Sequence, residues 1–250
     1  MAENIETTET KETENTMENT QAQQPVSKEP ETPVDDHTIT VQKIMELYKA
    51  ETLKHAEVTR AYYKTLFFEL KKRTDESGRH PIPNFEKLAM EYFENVVKHH
   101  DEDKFVDPEM HKYLALRHFN HATNGEFQIT PYEEERGEFY IMQHRRNNDH
   151  HVECGMFHLA HCTKFGEKKE GFRYSYFALM EMAADWASVA EELGVDNIKW
   201  FNTQLKKGRY VLPDEVIKIL IDFLQLLNPF LEENRKLGRF GLHQPDHVIK

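Results

Sequence analysis

The sequence predicts an all-α fold, and two observations support this. Apolar residues recur at the spacing of amphipathic helices through most of residues 38–236, and glycines and prolines separate the helical stretches. Alternating apolar and polar stretches typical of strands are hard to find, although "FGEKKEGF" could join two short strands in a hairpin near residues 155–173. One helical domain over residues 37–237 is therefore expected.

The chain begins with a segment, residues 1–36, that is predicted to be a disordered acidic tail. It holds ten acidic residues against two lysines, three prolines and no aromatic residue. Such a segment buries too little apolar surface to offset the entropy lost on ordering. The tail carries -8 of the net charge of -12, and the remaining -4 gives no support to nucleic-acid binding through a basic face. Residues 238–250 are predicted to be a second tail.

The cellular compartment is predicted from three simple features. Two cysteines, Cys154 and Cys162, suit a reducing cytosol rather than a disulfide framework. The acidic amino terminus does not resemble a signal peptide, and no run of about 18 apolar residues could span a membrane. We expect a cytoplasmic protein.

The first two predicted helices place histidines among apolar residues. The first runs from Ile39 to about Arg73, and His55 falls on its apolar stripe. The second runs from Phe85 to His100, where the same spacing places His100 on the buried face and "DED" ends the helix. The residues predicted to face inward in these two helices are Ile44, Leu47, Tyr48, Val58, Tyr62, Leu66, Phe85, Leu88, Ala89, Tyr92, Phe93, Val96 and Val97.

The later helices follow from capping residues and apolar stripes. Asp107-Pro108 is typical of a helix start. In the helix Tyr174–Leu193, Asp185 interrupts the inward stripe of Ala178, Met182, Val189 and Leu193, so this carboxylate needs a partner. The helix that starts at Pro108 is predicted to end at about Ala122. Three further helices are predicted, over Pro131–Asn147, Asn197–Lys206 and Pro213–Leu227.

Four polar positions thus interrupt or end apolar stripes: His55, His100 with Asp101, His144, and Asp185. Imidazole and carboxylate groups are suitable metal ligands, and helical bundles build metal sites from side chains on separate helices. Each position also has an ordinary structural interpretation. A histidine on a stripe can be a hydrogen-bonded core residue, His-Asp can end a helix, and a buried aspartate can pair with an arginine.

Three motifs, "HHDEDKF", "HRRNNDHH" and "YSYFALMEMAADW", carry a resemblance to known families. The order His, His-Asp and distant Asp resembles the HD-domain phosphohydrolase superfamily. More closely, the three motifs resemble an uncharacterised family found in bacteria and phages, over residues 48–225. Two positions depart from its pattern: Asp149 stands where proline is common, and Gln143 where another histidine often precedes His144.

The resemblance implies a metal-dependent phosphohydrolase in an HD-like helical bundle. Its substrate would be a small phosphorylated molecule, with a nucleotide favoured, in the cytoplasm of a bacterium or a phage-infected host. One or two divalent ions (Mn, Fe, Zn, Mg, Co or Ni) are implied, and an oligomer is left open. The implied ligands of the first ion are His55, His100, Asp101 and Asp185, and those of the second are His144 with His150 or His151, bridged by Asp101.

Three further residues are candidates for contact with the substrate or for proton transfer. Lys104 could contact a phosphate oxygen, Arg145 could grip phosphate with two hydrogen bonds, and Asp103 could act as general acid or base. Two alternative functions remain open: a non-catalytic metal-binding or interaction protein, and a helical enzyme resembling di-iron oxygenases. A structural zinc site is a further alternative, built from His151, Cys154, His158, His161 and Cys162.

Overall fold

The computed structural model describes residues 36–153, 175–210 and 212–238. Within these ranges the chain forms seven α-helices and no strand, which confirms the predicted all-α class. The proposed hairpin near 155–173, residues 1–35 of the predicted tail and residues 239–250 lie outside the described residues. The helices are α1 (Asp36–Lys71), α2 (Phe85–Asn95), α3 (Pro108–Ala122), α4 (Pro131–Asn147), α5 (Tyr176–Glu192), α6 (Asn197–Lys206) and α7 (Asp214–Leu237).

Side-chain caps define where the two helices with His144 and Asp185 begin. In α4 the Thr130 hydroxyl accepts the backbone N–H of Glu133, while the Glu133 carboxylate accepts the backbone N–H of Thr130. This reciprocal pair satisfies two backbone donors that the first helical turn leaves free. In α5 the Ser175 hydroxyl accepts the backbone N–H of the third following residue. Both caps join residues that are three apart in the sequence, and they define the first turns of α4 and α5, which carry His144 and Asp185.

The apolar core consists of two clusters that share α1. The larger cluster contains buried residues of α1 from Val58 onward together with residues of α2, α5, α6 and α7. The smaller cluster contains Ile44 and Tyr48 of α1 together with residues of α3 and α4. His55 lies on α1 between these two stretches. The junction of the two clusters is therefore where a polar site interrupts the core.

The segment after α2 differs from the prediction of one helix through His100. The α-helix ends at Asn95, because Val96 leaves the helical region with φ −125°. Two short 3-10 helices follow, Val97–His99 and Glu102–Phe105, and His100 and Asp101 lie between them. The predicted buried position of His100 is confirmed, but a turn and not a continuous helix places it there.

Other helix ends and exposures also correct the prediction. Helix α1 begins at Asp36 rather than Ile39, and α7 continues through Pro229 to Leu237 rather than ending at Leu227, since its apolar stripe continues. Three leucines predicted to face inward are exposed, because they lie at the margin of their stripes or past the last helical turn: Leu47 (44%), Leu88 (40%) and Leu193 (59%). None of the described helices combines the length and apolar character needed to cross a membrane.

Candidate metal centre

The structure brings together all seven residues that the sequence suggests as metal ligands. They come from five separate parts of the chain, so their meeting is a product of the tertiary fold. Their positions are α1 (His55), the turn between the 3-10 helices (His100 and Asp101), the end of α4 (His144), the turn that follows it (His150 and His151) and α5 (Asp185).

One group of ligand atoms is formed by His55, His100 and Asp101, whose candidate atoms lie within 4.8 Å of one another. Asp185 joins this group, because its Oδ1 lies 2.8 Å from His55 Nε2 and 3.8 Å from His100 Nε2. His100 Nε2 also lies 3.8 Å from Asp101 Oδ2. Two imidazoles and two carboxylates thus face a common point, which we call the first position.

A second group is formed by Asp101, His144, His150 and His151, again with candidate atoms within 4.8 Å of one another. His144 Nε2 lies 3.1 Å from Asp101 Oδ1 and 2.9 Å from His151 Nε2. The sequence left open which of His150 and His151 takes part, and both lie in this group. We call it the second position. Asp101 belongs to both positions and presents one oxygen to each.

The backbone at Asp101 explains how one carboxylate reaches both positions. Asp101 has φ 64°, in the left-handed region, which aspartate adopts more readily than most residues with a side chain. Such a conformation costs on the order of 1–3 kcal/mol and persists where surrounding contacts hold it, often at functional sites. Here it turns the chain between the two 3-10 helices and buries the Asp101 side chain among the histidines.

Four of the five histidines share one hydrogen-bonding pattern. In each of them Nδ1 lies beside a carboxylate that can accept its proton, while Nε2 faces the cluster. Carboxylates that orient the second nitrogen in this way are the usual companions of histidine ligands in metal sites. The pairs are His55 with Glu192 (2.9 Å), His100 with Glu181 (2.9 Å), His150 with Glu181 (3.3 Å) and His144 with Asp103 (2.9 Å).

Two of these inward-facing nitrogens lack a hydrogen-bond partner among the described residues. They are Nε2 of His100 and Nε2 of His150, and both are buried. Leaving a buried polar atom unpaired costs about 1–3 kcal/mol. A metal ion would satisfy both atoms, and imidazole with carboxylate suits Mn, Fe, Zn, Co and Ni. The donor set and the two unpaired nitrogens fit a divalent metal centre.

The charge of the cluster also favours cations. Five carboxylates surround it, and one of them, Asp101, is paired with an ammonium group, since Lys104 Nζ lies 2.7 Å from its Oδ2. With neutral histidines, four negative charges remain unbalanced, and three of the five carboxylates, Asp101, Glu181 and Asp185, are buried, where charges are costly unless paired. Two divalent ions would neutralise them. The five carboxylates are Asp101, Asp103, Glu181, Asp185 and Glu192.

In the metal-free chain, protons on the histidines would take over part of this role. Burial alone would raise the pKa of Asp101, but Lys104 and the neighbouring histidines hold it well below its usual range. Burial alone would lower the pKa of His55, but its hydrogen bonds to Asp185 and Glu192 raise it to about 10. Burial, His150 and His144 keep the pKa of His151 well below the usual range.

A cavity of about 580 Å³ adjoins the cluster. This volume lies within the range of sites that bind small molecules. His55, Asp101 and Asp185 lie in its wall, so the candidate ligands face space that a substrate could enter. The remaining lining includes three arginines and four aromatic residues: Arg117, Arg145, Arg209, Tyr48, Trp186, Trp200 and Tyr210.

The three residues suggested for substrate contact or proton transfer all have partners. Lys104 contacts Asp101, and Arg145 lies 3.4 Å from Glu153 in the cavity wall. Asp103 accepts from His144 Nδ1 and from the Asn148 amide at 2.9 Å. Burial alone would raise the pKa of Asp103, but His144 and Asn148 lower it. An ionised Asp103 fits the orientation of His144 better than it fits a general acid.

Sequence reasoning missed Glu181 and Glu192. Both lie on α5, four residues before and seven residues after Asp185, so the three carboxylates share one face of the helix. Counting helical turns outward from Asp185 would have found them. Glu181 is fully buried. The residues adjacent to it in the sequence, Met180 and Met182, are uncharged, so they do not indicate that Glu181 lies in a polar cluster.

The fold and the site define a class: an all-α protein with a buried cluster of histidines and carboxylates that could hold a metal ion. The chain belongs to DUF5662, a family of unknown function, whose family model matches residues 26–226 of the 250. The predicted membership of an uncharacterised family is thus confirmed. Neither the curated proteins nor the solved structures contain a significant match. Most residues of the alternative zinc site, from Cys154 to Cys162, lie outside the described residues.

Proposed function

We propose that this protein is a metal-dependent phosphohydrolase of HD type that acts on a small phosphorylated substrate, with nucleotides as the first class to test. One observation carries the proposal: ligand atoms converge from five parts of the chain, in the order His, His-Asp, His, His-His and Asp. This order supports the resemblance to HD-domain phosphohydrolases, and the adjoining cavity supports a substrate of small size.

The two positions would hold the ions with different donor sets. Asp101 would contribute to both, with His55, His100 and Asp185 completing the first. The second would be completed by His144, His150 and His151. Divalent ions, when bound in such sites, lower the pKa of a coordinated water and neutralise charge on phosphoryl oxygens. Imidazole-rich donor sets favour Mn, Fe, Zn, Co or Ni over Mg.

The chain itself would supply binding and orientation. Arg145 and Arg209 line the cavity and offer guanidinium groups for phosphate oxygens. Lys104 also lines it, and its ammonium group would hold Asp101 in place while adding positive charge near the phosphate. Asp103 would keep His144 oriented through Nδ1. Together these residues would place a phosphoryl group beside the two positions.

The test combines metal analysis with phosphate release. Purified protein should contain divalent metal, and it should release phosphate from some members of a panel of nucleoside mono-, di- and triphosphates, with loss of activity in EDTA. His55→Gln and Asp185→Asn should abolish the activity. His99→Gln serves as the matched control, because His99 is next to His100 in the chain but is exposed and pairs with Glu102.

Other outcomes would assign a different function. Bound metal without phosphate release from any compound, combined with lower thermal stability in EDTA, would indicate a non-catalytic metal-binding protein. Bound iron with colour and oxygen consumption would indicate an oxygenase. A protein that binds no divalent ion at micromolar concentrations would contradict the proposal at its first step.

A further inference from the structure

Glu181 occupies an unusual place in the cluster, because one carboxylate oxygen serves two histidines. Glu181 Oε1 lies 2.9 Å from His100 Nδ1 and 3.3 Å from His150 Nδ1. The other oxygen, Oε2, accepts a hydrogen bond of 2.8 Å from the Tyr92 hydroxyl. The carboxylate is fully buried on α5 and so has a fixed orientation.

The two histidines belong to different positions. His100 is part of the first position and His150 is part of the second. Their ring centroids are 4.4 Å apart, so the two rings lie side by side with Glu181 at one edge. The opposite edge of each ring carries the unpaired Nε2.

A competing interpretation places an ion among Glu181, His100 and His150, which each have a ligand atom within 4.8 Å of the other two. The ring nitrogens nearest Glu181 are the two Nδ1 atoms. That arrangement would leave both Nε2 atoms buried without a partner among the described residues. With Nδ1 donating to Glu181 and Nε2 facing an ion, all four ring nitrogens are satisfied. Because unpaired buried polar atoms are costly, the second arrangement is favoured.

We propose that Glu181 is a positioning residue shared by the two metal positions. It holds the proton on Nδ1 of both His100 and His150, so that both Nε2 atoms are free to bind the ions, and its loss weakens both positions at once. This inference rests on the proposed metal centre but not on the reaction that the centre catalyses.

Two other carboxylates provide matched controls. Glu192 lies beside His55 alone, in the first position, and Asp103 lies beside His144 alone, in the second. Removing either one should weaken a single position. Replacement of a carboxylate that orients a metal-bound histidine commonly costs about 10–100-fold in metal affinity.

The first experiment uses the wild-type protein and needs no variant. Selectively ¹⁵N-labelled histidine in the EDTA-treated protein, at a pH where the rings are neutral, reports by NMR which nitrogen carries the proton. His100 and His150 should both be protonated at Nδ1 in the neutral form. A proton on Nε2 of either neutral ring would overturn the proposal.

The second experiment measures stepwise Mn²⁺ binding by equilibrium dialysis. Glu181→Met keeps the length of the side chain but has no acceptor, and both dissociation constants should rise by about 10–100-fold. Glu192→Met and Asp103→Leu, which also remove the acceptor, should each raise one constant and leave the other unchanged. Glu181→Gln keeps an acceptor oxygen, so it should restore the Nδ1 protonation and most of the affinity.

The outcomes separate this inference from the proposed function. If Glu181→Met leaves either constant unchanged, or if Glu181→Gln binds as weakly as Glu181→Met, the shared positioning role is wrong. If both constants respond as expected but no phosphate is released from any substrate, the positioning role stands and the phosphohydrolase proposal falls. Should Glu181→Met fail to fold, the wild-type NMR result and the Glu181→Gln constants still decide.

Discussion

Replacing Asp101 with asparagine is the most direct test of a two-ion centre, because Asp101 is the one carboxylate shared by both groups of ligand atoms. Asparagine has nearly the same shape and tolerates the left-handed backbone at this position, so the variant adds little strain. It removes the charged oxygens that face His144 and His100. Binding at both positions should therefore weaken.

The expected magnitude follows from the coupling of binding to folding. An ion present at 100 times its dissociation constant stabilises the folded state by about 2.7 kcal/mol, so two ions would contribute roughly 5 kcal/mol. For a domain of this size each kcal/mol raises the melting temperature by about 2–4 °C, which gives a rise of about 10–20 °C on adding metal. Asp101→Asn should lose most of this rise, and Asp185→Asn should lose about half.

The assay is thermal unfolding in EDTA and then with increasing Mn²⁺, with the metal-induced rise compared for each protein. The comparison must use the rise and not the absolute melting temperature, because Asp101→Asn leaves Lys104 without its carboxylate. The Lys104 side chain is 14% exposed, and breaking such a pair costs about 3–5 kcal/mol without any metal. Combining Asp101→Asn with Lys104→Met should recover part of that baseline loss. An Asp101→Asn protein that keeps the full rise would refute the shared-ligand arrangement.

Two further predictions concern the scaffold. Gly137→Ala should destabilise the protein by about 1–3 kcal/mol in urea unfolding. The new Cβ would lie 2.8 Å from Arg117 Cβ and Cδ, where α4 meets α3. Glu135→Ala, at an exposed position two residues away, is the control, and equal stability of the two variants would contradict the close contact. Burial, together with Lys49, lowers the pKa of His111 despite a hydrogen bond to a backbone carbonyl. The unfolded chain therefore takes up a proton first, so His111 should contribute a loss of stability as the pH drops below about 6.5. Urea unfolding of EDTA-treated protein on both sides of that pH should show that lowering the pH destabilises wild type relative to His111→Gln, and an equal pH dependence of the two proteins would contradict the shift.

The candidate ligands were accessible to sequence reasoning because their signals are local. His55 and Asp185 each stand out as polar residues on an apolar helical stripe, and His100-Asp101 lies at a helix end. A polar residue on a buried apolar stripe needs a polar partner. Here Asp185 is the partner of both His55 and His100. Convergence of the seven residues was a prediction from the order of the motifs, and the structure places them together.

The roles of Glu181 and Lys104 could not be predicted in the same way. Glu181 lies between two methionines on α5, and its importance depends on His100 and His150, which are 81 and 31 residues away in the chain. Lys104 was suggested as a phosphate contact, and the contact of its Nζ with Asp101 was not predicted. In both cases the contact depends on which side chains of other segments lie nearby in the folded protein. The helical spacing of apolar residues in the sequence does not give this information.

The sequence by itself determined the all-α class and the residue types available to a metal, because helical periodicity and capping act over a few residues. It also determined membership in DUF5662, through three motifs between residues 99 and 186 that lie inside the matched region. Tertiary structure alone decided that Asp101 faces both groups of ligands, that His150 and His151 both join the second position and that Glu181 serves two histidines. These features depend on the left-handed turn at Asp101 and on the packing of α5 against α1, where distances of a few ångströms between remote residues decide what each charge contacts.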